Sequence, residues 1–480
     1  MYNVFDILKT SAEKWPEQLA VSDVYGTITF GELYAQADIL RTQLVDLGVT
    51  PGTGVAIIFG NNRYFIISLF AVVGCGAVVM PVSPQLKDKE IINAIDEGAM
   101  HFVVSDKSIA HLPYAPLQEY DVLPITINGG RTERALTQKT VDIVDNPAFI
   151  RFTSGTTGKS KGVVISHRSV VERVEAANEG LCLNENDRVI WVLPMAYHFV
   201  VSIVLYVKYG VGIIVNDVFL ADDILRSITT YNGTFLYAAP MHIKLLAAYK
   251  EQVQIPSLKK VISTTTSISE EVCRDFKAKY NLPVSQAYGI IEIGLPIINL
   301  TKSDEHPEAL GYALPAYQVG ILSDTFEELP SGEPGKLGIK GPGMFDAYLS
   351  PARLREEVLC NGWFLTGDLA FKQPDGLIVL QGREKNMINV SGNKVFPNEV
   401  EDVVNNFPGV VQSRAYSKTH KLMGEVVALD IITENGVEVD DEALISYCKQ
   451  YLANFKVPQF IYRVQEIVMT GSGKVKRSED

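Results

Sequence analysis

A glycine- and hydroxyl-rich stretch between two apolar runs constrains this chain more than any other feature. Apolar residues 147–150 precede it, and apolar residues 163–165 follow it. In full it reads Phe152-Thr153-Ser154-Gly155-Thr156-Thr157-Gly158-Lys159-Ser160-Lys161-Gly162. Glycine lets a loop bring successive N–H groups close to an anion, while hydroxyls and lysines add donors and charge. The pattern predicts a strand, a polyphosphate-binding loop and a second strand.

Two other interpretations compete with this reading of the loop. Many loops rich in glycine, serine and threonine are only flexible turns. The phosphate loop of P-loop NTPases has its own spacing, G-x-x-x-x-G-K-[ST]. Residues 158–160 match the end of that pattern, but Thr153 stands where its first glycine is required. The loop is therefore not of the P-loop NTPase type.

Composition and charge favour a globular enzyme over a nucleic-acid-binding protein. The chain has 480 residues, of which 47% are hydrophobic and 21% are charged, and its net charge is −13. This length suggests about three domain-sized units. The negative charge argues against a nucleic-acid partner. The five cysteines form no C-x-x-C pair, so we expect reduced thiols in a cytoplasmic protein.

The same expectation follows from the absence of targeting signals. The first residues carry no basic segment and no cleavage signature of a signal peptide. The most apolar run, residues 65–84, is interrupted by Gly74, Gly76 and Pro81. A helix, a glycine turn and a buried strand explain that run better than a membrane span does. We expect no membrane partner.

Short apolar strands alternate with amphipathic helices along most of the chain, which is typical of an α/β fold with largely parallel sheets. Thr29 and Glu32 have the spacing of a capping box at the start of one such helix. Glycine and proline become frequent from about 311, and this change predicts a β-barrel-like portion up to 382. The predicted domains are residues 1–382, a hinge at 383–386, and an α+β domain at 387–480.

Four further motifs follow the loop. They read QAYGIIE at 286–292, WFLTGD at 363–368, NVSGNKV at 389–395 and TGSGKVKR at 470–477. Together with the loop, and in this order, they resemble the motifs of the ANL superfamily: acyl- and aryl-CoA synthetases, peptide-synthetase adenylation domains and luciferases. The resemblance covers essentially the whole chain. It implies a large N-terminal α/β domain and a small, mobile C-terminal α+β domain.

The resemblance also implies an ATP site. In the family, the aromatic ring of the second motif packs on adenine, and the aspartate and the arginine that follow contact the ribose. The candidate nucleotide contacts are Thr153, Ser154, Gly155, Thr156, Thr157, Gly158, Lys161, Thr265, Gln286, Tyr288, Gly289, Asp368 and Arg383.

Two residues are the candidate catalytic groups by the same resemblance. Glu292 would hold Mg²⁺ on the phosphates, because a hard cation prefers carboxylate and phosphate oxygens. Lys474 would neutralise the charge that develops as pyrophosphate leaves. Gly392 would line the tunnel for the thiol acceptor, and Asn386 would be the hinge between domains.

The sequence departs from the family at two of these positions. Ile291 stands where the family has a threonine that contacts the α-phosphate. Asn386 stands where the family has an aspartate or lysine, although asparagine tolerates the large backbone rotations of a hinge.

The acid substrate is predicted from residues 193–202, which resemble the acyl-pocket segment of acyl- and aryl-CoA ligases. Residues 189–215 contain no aspartate or glutamate, so the ammonium group of an amino acid would lack a partner there. We expect an uncharged acyl or aryl acid, and the threonines at 264–266 predict a short pocket. The candidate pocket residues are His198, Phe199, Ser202, Thr264 and Ile290.

The predicted function is ATP-dependent activation of a small carboxylic acid to an acyl-adenylate, followed by transfer to a thiol. The acceptor is coenzyme A or the phosphopantetheine of an acyl carrier protein, and the sequence does not distinguish them. Two alternatives stay open at this stage. One is a freestanding adenylation domain that loads an amino or hydroxy acid onto a carrier protein, and the other is a non-catalytic adenylate binder.

Overall fold

The computed structural model describes residues 3–106, 112, 115–119, 126–129, 144–153, 161–391, 393–420, 424–434 and 436–468. The chain forms two compact units. The first comprises Met1–Gln318 and Lys340–Leu359, and the second comprises Val319–Ile339 and Cys360–Asp480.

One nine-stranded sheet of the first unit carries the predicted phosphate loop. Its spatial order is β20-β19-β9-β8-β4-β3-β5-β7-β6. The bounds are β3 (Gly54–Ile58), β4 (Val78–Val82), β5 (Phe102–Ser105), β6 (Ala115–Glu119), β7 (Thr126–Gly129), β8 (Pro147–Thr153), β9 (Lys161–Ser166), β19 (Ala347–Leu349) and β20 (Ala352–Leu354). Strands β5, β3, β4 and β8 are parallel, and antiparallel strands extend the sheet at both edges.

A second nine-stranded sheet carries the segment from Gln286 to Glu292. Its order is β16-β15-β14-β13-β12-β10-β11-β1-β2. The bounds are β1 (Leu19–Asp23), β2 (Gly26–Thr29), β10 (Arg188–Trp191), β11 (Gly212–Val215), β12 (Phe235–Ala238), β13 (Lys260–Ser263), β14 (Val284–Ile290), β15 (Gly294–Ile298) and β16 (Tyr312–Ala313). The six strands from β14 to β1 are parallel.

Helices connect the strands of both sheets. The helices of the first unit are α1 (Val4–Lys14), α2 (Phe30–Asp46), α3 (Arg63–Gly74), α4 (Asp88–Glu97), α5 (His167–Leu181), α6 (Met195–His198), α7 (Val204–Lys208), α8 (Ala221–Tyr231), α9 (Pro240–Ala247), α10 (Glu270–Tyr280) and α11 (Arg355–Val358). A π-helical turn, Phe199–Ile203, joins α6 to α7. The capping box predicted at Thr29 and Glu32 is confirmed at the start of α2.

The second unit contains two smaller sheets. A four-stranded sheet has the order β17-β18-β21-β22, and a five-stranded sheet has the order β24-β23-β26-β25 with β27 on β26. The bounds are β17 (Gln318–Leu322), β18 (Gly335–Lys340), β21 (Phe364–Lys372), β22 (Ile378–Arg383), β23 (Ile388–Val390), β24 (Asn393–Val395), β25 (Val410–His420), β26 (Gly424–Thr433) and β27 (Phe460–Arg463). Its helices are α12 (Pro397–Val404) and α13 (Asp441–Tyr451), with 3₁₀ turns at Glu384–Asn386 and Asn454–Lys456.

The predicted α/β class with parallel sheets is confirmed. The predicted barrel-like portion at 311–382 is divided between the two units: β17, β18, β21 and β22 form the four-stranded sheet of the second unit, whereas β16, β19 and β20 belong to the large sheets of the first. The domain boundary at 382 and the hinge at 383–386 stay predictions.

Burial of α3 and β4 explains why the run at 65–84 is so hydrophobic. Every residue from Phe65 to Val73 is buried, and β4 that follows is buried throughout. Within the described residues, no helix has both the length and the mean hydropathy needed to cross a membrane.

Candidate active site

Strands β8 and β9 bracket the predicted phosphate loop as an antiparallel pair. Thr153 is aligned with Lys161, so the chain leaves and re-enters the sheet at the same point. Lys161 is exposed, and its Nζ lies 5.0 Å from the ring centre of Tyr348. The loop residues Ser154, Gly155, Thr156, Thr157 and Gly158 lie outside the described residues, so their contacts with phosphate stay predictions.

Glu292 lies in the tight turn between β14 and β15. Tyr348 donates a hydrogen bond from its hydroxyl to Oε1 of Glu292 over 3.0 Å. Burial, together with the charge of Glu292, raises the pKa of Tyr348 well above its ordinary value. The tyrosine is therefore a permanent donor that orients the carboxylate.

Close backbone packing shapes the same turn. A Cβ atom at Gly289 would lie 2.7 Å from the carbonyl oxygen of Gly294, so only glycine fits there. Tyr288 and Ile290, on either side, are half-buried in β14. The predicted contacts of these three residues with adenine or acid are compatible with their exposure, and they stay predictions.

A buried arginine that the sequence did not single out supports this turn. Arg173 on α5 donates to the carbonyl oxygen of Ile291 over 2.9 Å and to that of Gly343 over 2.8 Å. Gly343 has φ +66°, and a Cβ there would lie 2.4 Å from the backbone nitrogen of Arg173. The guanidinium thus joins the Glu292 turn to the segment that leads to Tyr348.

A second arginine, Arg151 on β8, is half-buried and was also missed. Its guanidinium carbon lies 5.4 Å from the ring centre of Tyr197, and its Nε is buried with no hydrogen-bond partner among the described residues. Burial lowers the pKa of Arg151 to about 10, while Tyr197 and Glu292 act in the opposite direction. The available signal was a single arginine inside an otherwise apolar strand.

Gln286 is occupied by backbone groups. Its Nε2 donates to the carbonyl oxygen of Pro307 over 2.7 Å and to that of Ala309 over 3.3 Å, and its Oε1 accepts from the N–H of Ile268 over 3.3 Å. The side chain is 3% exposed. It therefore fastens two loops beside β14, and its contact with the nucleotide stays a prediction.

Thr264 and Thr265 follow the end of β13 and differ in backbone geometry. Thr264 is buried, and its N–H donates to the carbonyl oxygen of Ala238. Burial raises the pKa of Tyr237, and the side chain of Thr264 acts in the opposite direction. Thr265 has φ +79°, which is a strained value for a β-branched residue. Strain of this kind is concentrated at functional sites, which is compatible with the predicted nucleotide contact.

The predicted acyl-pocket segment forms α6 and the π-helical turn. The hydroxyl of Ser202 donates to the carbonyl oxygen of His198 within this turn. Phe199 is fully buried, with its ring edge-on to Phe149 and Phe65 at centroid distances of 5.0 Å and 6.1 Å. Phe199 thus lies in the core, and its contact with a substrate, like those of His198 and Ser202, stays a prediction.

Asn61 anchors the start of this segment. Its side-chain amide donates to the carbonyl oxygen of Leu193 over 3.0 Å and accepts from the N–H of Met195 over 2.9 Å. Two hydrogen bonds from one side chain fix the turn that leads into α6. No local pattern identified Asn61, because its partners lie more than a hundred residues away in sequence.

The predicted ribose contacts lie together in the second unit. Asp368 and Arg383 are cross-strand partners in β21 and β22, and Arg383 Nε lies 2.8 Å from Oδ1 of Asp368. The carboxylate is 5% exposed, and the arginine also donates to the carbonyl oxygen of Thr366 over 3.1 Å. Asn386 ends the 3₁₀ turn after β22. Gly392 and Lys474 lie outside the described residues.

The described residues hold no cluster of three or more His, Cys, Asp or Glu side chains that suits a metal ion. A Mg²⁺ ion carried mainly by phosphates needs only one or two carboxylates. Glu292 fits that role, because Tyr348 engages Oε1 and not Oε2. The magnesium site stays a prediction.

Two family models match the chain in the order in which the motifs occur. The model described as AMP-binding enzyme matches residues 8–349. The model described as AMP-binding enzyme C-terminal domain matches residues 399–474. Together they span most of both units.

Relatives and solved structures extend the same likeness. A long-chain-fatty-acid–CoA ligase of Escherichia coli O6:H1 is 23% identical over 526 residues, covering 99% of this chain and 94% of its own. An oxalate–CoA ligase of Arabidopsis thaliana is 26% identical over 496 residues, covering 98% and 96%. ATP-bound MatB from Rhodopseudomonas palustris has a similar fold, with a TM-score of 0.86 and 24% identity over 99% of this chain and 97% of that chain.

Proposed function

This chain belongs to the family of AMP-binding enzymes, the adenylate-forming enzymes of the ANL superfamily, and we propose that it joins a small carboxylic acid to coenzyme A. The enzyme is an AMP-forming acid–thiol ligase. The observation that carries the proposal is the ordered match of both family models. Activation is required because a carboxylate is a poor electrophile, whereas a mixed anhydride with AMP is attacked readily.

In the first step, a carboxylate oxygen of the acid attacks the α-phosphorus of ATP. A new O–P bond forms, the bond to the β-phosphate bridging oxygen breaks, and pyrophosphate leaves. Glu292, oriented by Tyr348, would hold a Mg²⁺ ion that supplies positive charge to the phosphates. Lys474 would stabilise the charge that develops on the α-phosphate.

In the second step, a thiolate attacks the acyl carbonyl, and AMP leaves with the bonding electron pair. The backbone around Gly392 would line the path of the thiol arm. We favour coenzyme A over a carrier protein as the acceptor, because the relatives are named as CoA ligases. Amino-acid loading is disfavoured, since residues 189–215 contain no carboxylate to pair with an ammonium group.

A panel of carboxylic acids tests the proposal. Each acid is incubated with the full-length protein, ATP, Mg²⁺ and coenzyme A, and the product mass is measured. We expect an acyl-CoA and AMP from at least one acid, together with ATP–pyrophosphate exchange that depends on that acid. If no acid of the panel supports ATP–pyrophosphate exchange, the proposal is contradicted. If only a carrier protein is acylated, the carrier protein and not coenzyme A is the acceptor.

Lys474→Ala separates the two steps. It should lower the exchange rate by roughly 10²–10³-fold, while thioester formation from a supplied acyl-adenylate stays near the wild-type rate. Lys476→Ala is the matched control in the same basic segment and should retain both activities. An equal loss of both half-reactions in Lys474→Ala would contradict separate roles for the two steps.

A further inference from the structure

Two arginines lie near the Glu292 turn, Arg173 fully buried and Arg151 half-buried, and their hydrogen bonding differs. Arg173 is fully buried, and carbonyl oxygens of Gly343 and Ile291 accept from its guanidinium. Arg151 has a buried Nε without a partner and makes no ion pair within the described residues. Arg173 therefore has a structural role, because backbone carbonyl groups accept its hydrogen bonds. Arg151, in contrast, has an N–H group that could donate to a bound ligand.

A buried guanidinium N–H without an acceptor, such as Nε of Arg151, is costly, because its lost hydration is not replaced. Glu292 attracts Arg151 electrostatically but forms no ion pair with it, and its carboxylate is engaged by Tyr348. The ring of Tyr197 offers only a cation–π contact. The missing counter-charge is consequently that of a ligand, and arginine is well shaped to bind a planar carboxylate through two hydrogen bonds.

The direction of the side chain distinguishes the acid pocket from the phosphate loop. Side chains alternate along a strand, so Arg151 shares a face of β8 with Phe149. The ring of Phe149 contacts Phe199, and Arg151 itself contacts Tyr197, so both reach the segment 193–202. The loop begins beyond Thr153, about 7 Å farther along the strand. Arg151 is thus set back along β8 from the start of the phosphate loop, and it contacts the acyl-pocket segment through Tyr197.

We propose that Arg151 binds a second anionic group on the acid substrate, so that the enzyme activates short dicarboxylic acids or ring acids with an additional acidic group. This inference rests on the proposed ligase function. It revises the expectation that the acid carries no further charge. That expectation rested only on the absence of aspartate and glutamate in residues 189–215. Family membership leaves the choice open, since one relative is named for a long-chain fatty acid and another for oxalate.

Pairs of a diacid and a monoacid of equal chain length test whether Arg151 binds a second anionic group. ATP–pyrophosphate exchange is measured with succinate against butyrate and with glutarate against valerate. The wild type should prefer the diacid of at least one pair by about 100-fold in kcat/KM, since buried polar groups reject ligands that leave them unpaired. Arg151→Met should remove that preference by raising the KM for the diacid, with the KM for ATP unchanged. Arg151→Lys should retain part of it.

The controls separate this inference from the proposed function. Arg226→Met removes an exposed arginine on α8 and should behave as the wild type. If the wild type activates each monoacid as well as the matching diacid, the proposed role of Arg151 is wrong and the ligase function is unaffected. A higher KM for ATP with both acids in Arg151→Met also overturns that role, because Arg151 would then bind phosphate.

Binding without turnover completes the test. Glutarate should raise the thermal midpoint of the wild type in the presence of AMP, and valerate should not, because only a ligand of the native state stabilises it. Arg151→Met, shown to be folded by its own midpoint, should lose the glutarate effect. Equal shifts by the diacid and the monoacid in both the glutarate–valerate and the succinate–butyrate pair contradict the proposal even if no acid of the panel is turned over.

Discussion

Tyr348 and Glu292 are 56 positions apart in sequence, yet the tyrosine hydroxyl donates to the glutamate carboxylate over 3.0 Å. Tyr348→Phe removes only this hydrogen bond. A hydrogen bond to a charged group contributes roughly 1.5–3 kcal/mol, so we expect the Mg²⁺ concentration for half-maximal adenylation to rise by about tenfold. Magnesium titration of the exchange rate measures it.

Tyr25→Phe is the control for this variant, because Tyr25 is 55% exposed near the turn between β1 and β2. It should leave the magnesium titration unchanged. An unaltered titration in Tyr348→Phe would mean that Tyr348 does not orient a metal ligand.

Arg173→Met should destabilise the fold. The substitution leaves the buried carbonyl groups of Ile291 and Gly343 without their donor. Each unsatisfied group costs about 1–3 kcal/mol, so we expect a loss of about 2–5 kcal/mol in the free energy of unfolding, measured by denaturant titration. Arg168→Met, on the same helix, removes an exposed ion pair with Glu172 and should cost less than about 0.5 kcal/mol.

His167 makes stability depend on pH. Its Nδ1 accepts from the N–H of Val4 over 2.9 Å, and burial lowers the pKa of His167 from 6.5 to about 4. The unfolded chain therefore binds a proton that the folded chain refuses between those values. This contribution is complete above pH 6.5 and is lost as the pH falls towards 4, by up to about 3 kcal/mol.

Unfolding titrations from pH 7 to pH 4 measure this effect. His167→Gln should flatten the slope in that window, whereas His306→Gln, at an exposed position, should keep it. An unchanged slope in His167→Gln would assign the pH dependence to other groups.

Ile291→Thr should restore a phosphate contact that the family has at this position. Ile291 is half-buried in the turn before Glu292, and Arg173 holds its carbonyl. A hydroxyl that bonds phosphate contributes roughly 1.5–3 kcal/mol, so the KM for ATP should fall by about tenfold or more. Ile39→Thr, exposed on α2, is the control. A slower but stable variant would show that the turn is packed around isoleucine.

Local patterns predicted much of this molecule. Strand, loop and strand around Thr153 and the capped helix α2 follow from neighbouring residues alone, and the structure has these strands and this helix. The order of the motifs along the chain identified the family. Such features depend on residues that are close in sequence, and a linear reading can find them.

Side chains that meet from distant parts of the chain escaped prediction. Arg173 donates to the carbonyl oxygen of Ile291, which is 118 positions away in sequence. Gln286 was predicted to contact the nucleotide, and its hydrogen bond to the carbonyl oxygen of Pro307 was not foreseen. An apolar residue such as Phe199 looks the same in a core and in a pocket, so the sequence did not distinguish them. Thr264 was interpreted as a filler of volume, and its interaction with the hydroxyl of Tyr237 was missed.

The π-helical turn Phe199–Ile203 can be altered by a change in chain length, which has an effect that no substitution reproduces. A π turn holds one residue more than the i→i+4 pattern of an α-helix requires. Deleting one residue there would restore the α-helical hydrogen-bond pattern between this turn and α7 and would change which side chains of Phe199–Ile203 point towards the core. Variation in chain length, rather than in side-chain type, could thus change which side chains this turn exposes and which it buries.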